Sequence, residues 1–346
     1  MTTTEQPDQS SFWSFEYLDT PRFRLQQIDL APGVESLRLI THGRKLDTPG
    51  LRQKLDRLYR DRFSTANDVE VDLDARVTEA PHQAWSLAAE AAERGVDRII
   101  ALGGDGLVNE VVNGILEGAP SREQRPELAI VPIGTANDFA YAADLPPELG
   151  AALSLALAGP ARSVDLGRVN ERCFLNVASG GPLSDAAARM QPNLKGLLGE
   201  VSYIVAALLE LPRAEPMALR VRSGDWSWEG NAHAMIVGNG IRGGGGFELC
   251  PSALVNDGRL NLSIVPAELD FSAMVPLVTD RSLEQVEGVI YRPFTELELE
   301  SDTDITVNLD GEPTVLSRAH VEVLPRALDL CLPRGSSVLQ GPRLVA

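Results

Sequence analysis

The chain has 346 residues, enough for two domains with separate cores, and 44% of it is apolar. Its 31 basic residues face 49 acidic ones, a net charge of −18. That argues against nucleic acid, which is bound largely by neutralising phosphates, and against a purely electrostatic hold on an anionic membrane. Cys173, Cys250 and Cys331 lie far apart, as do His42, His82, His233 and His320, so neither a disulfide framework nor a zinc site is expected and a reducing cytoplasm suits the chain.

Residues 1–34 read as an appended extension, polar and acidic, without the basic segment and apolar core of a signal peptide. "SLRLITHGRK" is a short strand running into a glycine turn. "TPGLRQKLDRLYRDRF" (48–63) is a helix with Pro49 near its start, and "VEVDLDARV" alternates with strand period. "PHQAWSLAAEAAERG" is a helix that stops at Gly95. "DRIIALGG" is a short buried strand, "LVNEVVNGILEG" a helix, "ELAIVPIG" a strand and "PPELGAALSLALAG" a helix. Alternating strands and helices predict βαβ units and a mainly parallel sheet covered on both faces.

After residue 162 strand-like runs dominate: "RCFLNVAS", "ALRVRS", "WSWEGNAHAMIVGNG", "GRLNLSIVP", "TELELES", "DITVNLDGE", "AHVEVLP" and "ALDLCLP". Helical stretches interrupt them near 184–211 and 271–287. The longest apolar stretch, "VSYIVAALLEL", is about half the roughly 20 residues that span a bilayer. The expected fold is α/β plus β. A three-layer α/β nucleotide-binding domain covers 35–162. An antiparallel β-sandwich-like domain covers 163–328, and a C-terminal segment, 329–346, returns toward the first domain.

Chemistry concentrates at the turns. In "GGDGLVNEVVNG" (103–114), Gly103, Gly104 and Gly106 surround Asp105 between a strand and a helix. Glycines there admit a phosphate close to the backbone, and the helix N-terminus offers free N–H groups. Asp105 beside a phosphate makes sense with a divalent cation between them. No lysine follows, so this is no Walker A loop, and Asn109 stands where the dinucleotide fingerprint needs a third glycine. "AIVPIGTANDFA" (129–140) repeats the arrangement with Gly134, Thr135, Asn137 and Asp138. Those last three are also ordinary helix caps. Two such loops at strand C-termini would form one crevice.

At these residues the chain resembles a known family. "GGDGLVNEVVNG" with "PIGTANDFA" looks like the diacylglycerol kinase catalytic domain. Together with "GEVSYI" (199–204), "GNGIRGGGGFELCPSALVNDGRLNL" (238–262) and "NLDGEP" (308–313), it resembles bacterial YegS-type lipid kinases over roughly residues 36–340. The resemblance implies a two-domain kinase that moves the ATP γ-phosphate to a lipid hydroxyl. By position, Thr78, Gly103, Gly104, Asp105, Gly106, Leu107, Val108, Asn109, Glu110, Gly134, Thr135 and Asn137 would line the nucleotide. Glu312 would be the proton acceptor, with Asp310 in the catalytic centre and Mg²⁺ near Asp105 and Asp138. A structural Mg²⁺, replaceable by Ca²⁺, would take the Asp257 carboxylate and the carbonyls of Leu254 and Arg259. The protein would work in the cytoplasm, at the inner face of the membrane.

The residues themselves leave alternatives. In "DITVNLDGEP", strand period turns Ile305, Val307 and Leu309 inward and puts Asp310 and Glu312 on one face if the strand continues. The same letters also spell an Asp-Gly hairpin turn. "VNDGRL" reads as a cation loop or a plain turn, and "IRGGGGFEL" as a headgroup loop with Arg242 facing phosphate or a hairpin end. Trp226 and Trp228 share a strand face and read as packing residues. Leu107 stands where the family usually has Thr, His42 where it often has Asn, and Pro182 follows the Gly-Gly pair of "ASGGPLSDAA". A kinase of a soluble hydroxyl compound, or a nucleotide- or lipid-binding regulator impaired in turnover, are the competing functions.

Overall fold

The computed structural model describes residues 22–25, 30–42, 71–182, 215–269, 277, 279, 280, 282, 283 and 286–340. The helix predicted over 48–63, all of 184–211 with its stretch "GEVSYI", and most of 271–287 lie outside them.

Four parallel strands carry the N-terminal half. β2 (Ser36–His42), β3 (Val71–Thr78), β4 (Arg98–Gly103) and β5 (Glu127–Pro132) stand in the order β3-β2-β4-β5. Successive side chains of a strand point to opposite faces, so an unbroken apolar run can serve two cores. Ile99, Ala101, Leu128 and Ile130 pack with Ala88 of helix α1 (Gln83–Glu93) and with Val111 and Ile115 of α2 (Asp105–Gly118). Ile100, Leu102, Ala129 and Val131 face the other way. They pack with Ala152 and Ala156 of a helix over Leu149–Ala158. These are the three layers expected. Arg98, fully buried, donates to the carbonyls of Ala156, Leu157 and Gly159 at that helix's end and pairs with Glu127 at 2.5 Å. A cation is favoured there because unsatisfied carbonyls gather at a helix C-terminus.

Residues 22–25 and 31–34, expected within an appended extension, belong to the fold. Arg22–Leu25 forms β1, antiparallel to β3, and Ala31 and Val34 are buried in the second of these cores.

The C-terminal half is antiparallel. Its strands are β6 (Ala161–Val169), β7 (Arg172–Phe174), β8 (Val177–Gly180), β9 (Met217–Ser223), β10 (Trp226–Gly238), β11 (Arg242–Gly243), β12 (Phe247–Glu248), β13 (Leu260–Pro266), β14 (Ile290–Phe294), β15 (Glu296–Leu309) and β16 (Glu312–Cys331). β6 and β14 were not foreseen. "TELELES" and "DITVNL" are one strand with a register irregularity after Glu300, and "AHVEVLP" and "ALDLCLP" are both parts of β16. β16 absorbs Pro325 at an irregularity between Leu324 and Leu328, where Arg326 has φ 50°. Ile305, Val307 and Leu309 point into the core as the alternation predicts, and Trp226 and Trp228 pack against it. β16 also ties the halves together. It runs antiparallel to β15 and β6, and its Leu330 pairs in parallel with Leu128 of β5. Among the described residues no helix is long and apolar enough to cross a membrane.

Candidate functional site

The first junction is tighter than the sequence pattern suggests. β4 ends at Gly103, Gly104 is extended (φ −103°), and α2 already begins at Asp105. An acidic residue in a first helical turn is favoured by the dipole, which draws the helix start back to Asp105. Val108 N–H is bonded to the Gly104 carbonyl at 3.1 Å. Helix geometry leaves the N–H groups of the residues before it without intrahelical partners.

At the second junction Asn137 folds back on its own loop. Its Oδ1 accepts from Gly134 N–H at 2.9 Å and its Nδ2 donates to the Gly134 carbonyl at 3.1 Å. Asn137 adopts φ 51°, and a short helix α3 (Asp138–Ala142) follows, with Thr135 exposed on the loop. A Cβ on Gly134 would lie 2.5 Å from Gly104 Cα, so the two loops abut backbone to backbone. Thr78, buried, pairs with His42 at the ends of β3 and β2. The loops and strand ends come together at the C-terminal edge of the sheet, where two such junctions imply a crevice.

Carboxylates converge on it. Asp105 Oδ2 accepts from Asp138 N–H at 3.3 Å. Burial, reinforced by the charges of Asp138 and Asp310, pushes the Asp105 carboxyl up to about 6. Asp138 reaches into the other domain, where its Oδ2 and Oδ1 accept from the N–H groups of Gly245 (2.9 Å) and Gly246 (2.6 Å).

Asp310 and Glu312 do not alternate along one strand. Asp310 (φ 51°) and Gly311 (φ 96°) form the two-residue turn between β15 and β16, with Leu309 paired to Glu312. Positive φ at both central residues is what a tight hairpin of this kind needs. The Asp310 carboxylate is buried. Its Oδ1 accepts from the N–H groups of Asn176 and Val177, each at 2.9 Å. Its Oδ2 accepts from Leu175 N–H at 2.7 Å and from Asn109 Nδ2 at 3.1 Å. Burial raises its pKa against the pull of these bonds. Four donors occupy the lone-pair sites of one carboxylate, so Asp310 ties the hairpin to the break between β7 and β8. Glu312 remains at the crevice. A Cβ on Gly106 would lie 2.7 Å from its Oε1, which puts the carboxylate over the first turn of α2.

Three residues expected at the nucleotide face elsewhere, because the helical period turns them away. Val108 is buried in the first core. Asn109, fully buried, donates to the Cys173 carbonyl (3.0 Å) as well as to Asp310. Glu110 caps α1 by accepting from His82 N–H (3.0 Å) and Ala84 N–H (3.1 Å). Leu107 is partly buried against the first core, and a Cβ on Gly103 would lie 2.7 Å from its Cδ2. Asn113, which sequence reasoning passed over, exchanges bonds with Cys173 N–H and its carbonyl, both 2.9 Å, and so fastens α2 to β7.

The turn at 254–259 holds Asp257 close to its own backbone, with Oδ1 accepting from Arg259 N–H at 3.0 Å. Burial and nearby Asp165 push the Asp257 carboxyl up. Leu254 is half-buried and Arg259 exposed. Asp165 was also missed. Buried in β6, it accepts from Gly258 N–H and Arg326 N–H, each at 2.7 Å. A charged residue inside the apolar run "SVDLGRV" was the signal, since buried carboxylates require partners. Among the described residues no group of three or more His, Cys, Asp or Glu gathers as metal ligands, so a cation at 254–259 would rest on one carboxylate and main-chain oxygens.

The model of the diacylglycerol kinase catalytic domain matches residues 49–169, and that of the YegS C-terminal NAD kinase beta sandwich-like domain matches 177–332. The chain is 36% identical over 303 residues to the lipid kinase YegS of Escherichia coli K12, covering 87% of this chain and 97% of that protein. A crystal structure of a diacylglycerol kinase from Bacillus anthracis Sterne shares the fold, with TM-score 0.67 and 24% identity over 87% of this chain and 98% of that one. Crevice, paired domains and relatives agree, and the chain belongs to the YegS-type lipid kinases of the diacylglycerol kinase catalytic-domain family.

Proposed function

We propose that this protein is an ATP- and Mg²⁺-dependent kinase that transfers the γ-phosphoryl group of ATP to the hydroxyl of a lipid. One observation carries the reading: the Glu312 carboxylate, from the second domain, stands against Gly106 in the first turn of a glycine-led helix. That brings a base and a set of anion-binding N–H groups to the same place, which phosphoryl transfer requires.

The nucleotide would lie along the crevice between the glycine turn and the 134–137 loop, near Thr78, with its phosphates toward the start of α2. Unpartnered N–H groups at that helix end, aided by the dipole, would stabilise charge on the phosphoryl oxygens. Glu312 would accept the proton of the attacking hydroxyl. Asp310 would hold the hairpin that presents Glu312, through its bonds to residues 175–177 and Asn109. A hard cation would rest chiefly on Asp105, whose carboxyl is pushed up to about 6 by burial beside Asp138 and Asp310, because Asp310 is already filled by four donors. Mg²⁺ held by Asp105, with Asp138 alongside, would offset phosphate charge. A second, structural Mg²⁺ or Ca²⁺ would sit on Asp257 with the Leu254 and Arg259 carbonyls. The functional division proposed is a nucleotide domain over 35–162 and a lipid-substrate domain over 163–328, working in the cytoplasm at the inner face of the membrane.

Leu107, folded over Gly103, favours the rival reading of an impaired regulator. The placement of Glu312 favours turnover. Labelled ATP offered with diacylglycerol, phosphatidylglycerol, ceramide and sphingoid bases in mixed micelles tests both. Phosphorylated lipid formed only with Mg²⁺ supports the kinase, and nucleotide binding without transfer to any lipid sinks it.

A further inference from the structure

Helix α3 and the β11–β12 hairpin grip each other across the crevice at two points. Asp138 takes the N–H groups of Gly245 and Gly246. Three residues further along, Tyr141 lies under the Arg242 guanidinium, whose carbon is 4.5 Å from the ring centroid. Residues three apart share a helix face, so one face of α3 meets both ends of the hairpin tip.

The two partners in the ring contact differ in what else holds them. Arg242 is fixed by its Nη2 bond to Glu248 Oε1 (3.1 Å) and, through its carbonyl, by Asn176 Nδ2 (2.8 Å). Beneath it, Phe247 is buried in a core with Val177, Ile236 and Cys250. Tyr141 is 67% exposed, so little packing fixes its ring apart from the guanidinium. Gly244, Gly245 and Gly246 adopt φ 67°, 86° and 101° in succession, the last two being the ones Asp138 holds. Such a tip has no side chains to stiffen it and many conformations open to it. Its shape therefore depends on what holds its ends. Asp138 is also bound through its N–H to Asp105, which links the tip to the glycine turn of the first domain.

We propose that Tyr141 and Arg242 are positioning residues for the phosphoryl acceptor: their stack clamps the 243–246 tip across the crevice and so sets the wall against which the acceptor is seated. This rests on the kinase reading. Releasing the clamp lowers the population of the seated conformation, and the apparent affinity for the acceptor falls by that fraction.

Arg242→Ala and Tyr141→Ala are each expected to raise the acceptor KM about fivefold. ATP binding measured without lipid should stay within about twofold. Tyr141→Phe keeps the ring and should behave as native. Arg242→Lys keeps the charge without the planar stack, so it should resemble Arg242→Ala. The double alanine variant should be no worse than either single, because both remove one contact. Amide hydrogen exchange over 243–249 should quicken in Arg242→Ala while that over 99–118 does not. Unchanged acceptor KM and unchanged exchange in both alanine variants would overturn the proposal, as would rescue by lysine or multiplicative effects in the double variant. A native protein inert toward every lipid would sink the kinase reading instead, and the exchange data would then decide the clamp by themselves.

Discussion

Glu312 and Gly106 touch across the two domains, with Glu312 Oε1 occupying the space that a Cβ on Gly106 would need, 2.7 Å away. Gly106 lies inside α2 and has no positive φ, so its value is the room it leaves. Alanine is the better helix former by about 1 kcal/mol, and the carboxylate, at the end of a flexible side chain, can give way. Gly106→Ala should therefore hold or raise the melting temperature while kcat falls about 100-fold through misplacement of the base. Unaltered kcat would mean that Glu312 is not the proton acceptor.

Asp105→Asn removes one of three crowded carboxylates. The metal-free protein should melt at the same temperature or higher, since Asp138 and Asp310 lose a like-charged neighbour. Turnover should collapse, because the cation loses its carboxylate. Kinase rates equal to native at ordinary Mg²⁺ would remove the metal role given to Asp105.

Asp310→Ala strips the acceptor from the N–H groups of Leu175, Asn176 and Val177 and from Asn109 Nδ2. Buried donors left unsatisfied cost about 1–3 kcal/mol each where water cannot replace the bond. Denaturant unfolding should show a loss of at least about 3 kcal/mol. A variant that unfolds like native but does not turn over would return Asp310 to the chemistry.

Leu107→Thr exchanges an apolar cover over Gly103 for a hydroxyl near the start of α2. One neutral hydrogen bond contributes about 0.5–1.5 kcal/mol, so ATP should bind roughly threefold to tenfold more tightly. Native protein should already be active. Silence in the native form with activity switched on by Leu107→Thr would support the regulator reading.

Asp257→Ala should lower the melting temperature in Mg²⁺ and remove the response to EDTA, because a cation bound only by the folded state stabilises it by mass action. Identical melting curves for native and variant, with and without EDTA, would leave the 254–259 turn without a cation.

Local pattern was enough for much of this protein. The apolar alternation in β4, β5 and β15, the glycines at 103–106 and 134, and the run from Leu107 to Leu116 announced strands, turns and a helix, because each depends on neighbours within a few residues. The two junctions announced a crevice for the same reason. What sequence could not decide was where polar side chains end after the chain folds. Asn109 and Glu110 sit in the motif beside the crevice, yet the turn of α2 sends one to Cys173 and Asp310 and the other to the N-terminus of α1. For Asp310 and Glu312 the sequence left two readings, side by side on one strand face or split by an Asp-Gly hairpin. The hairpin at Asp310–Gly311 separates them, burying one among backbone donors and leaving the other over Gly106. Asp165 and the Tyr141–Arg242 stack depend on partners tens of residues away. A residue's type and its local period fix which way it can point. Whether it then meets a donor, a like charge or open space is fixed only when β16 pairs with β5 and β15 and brings the two domains together.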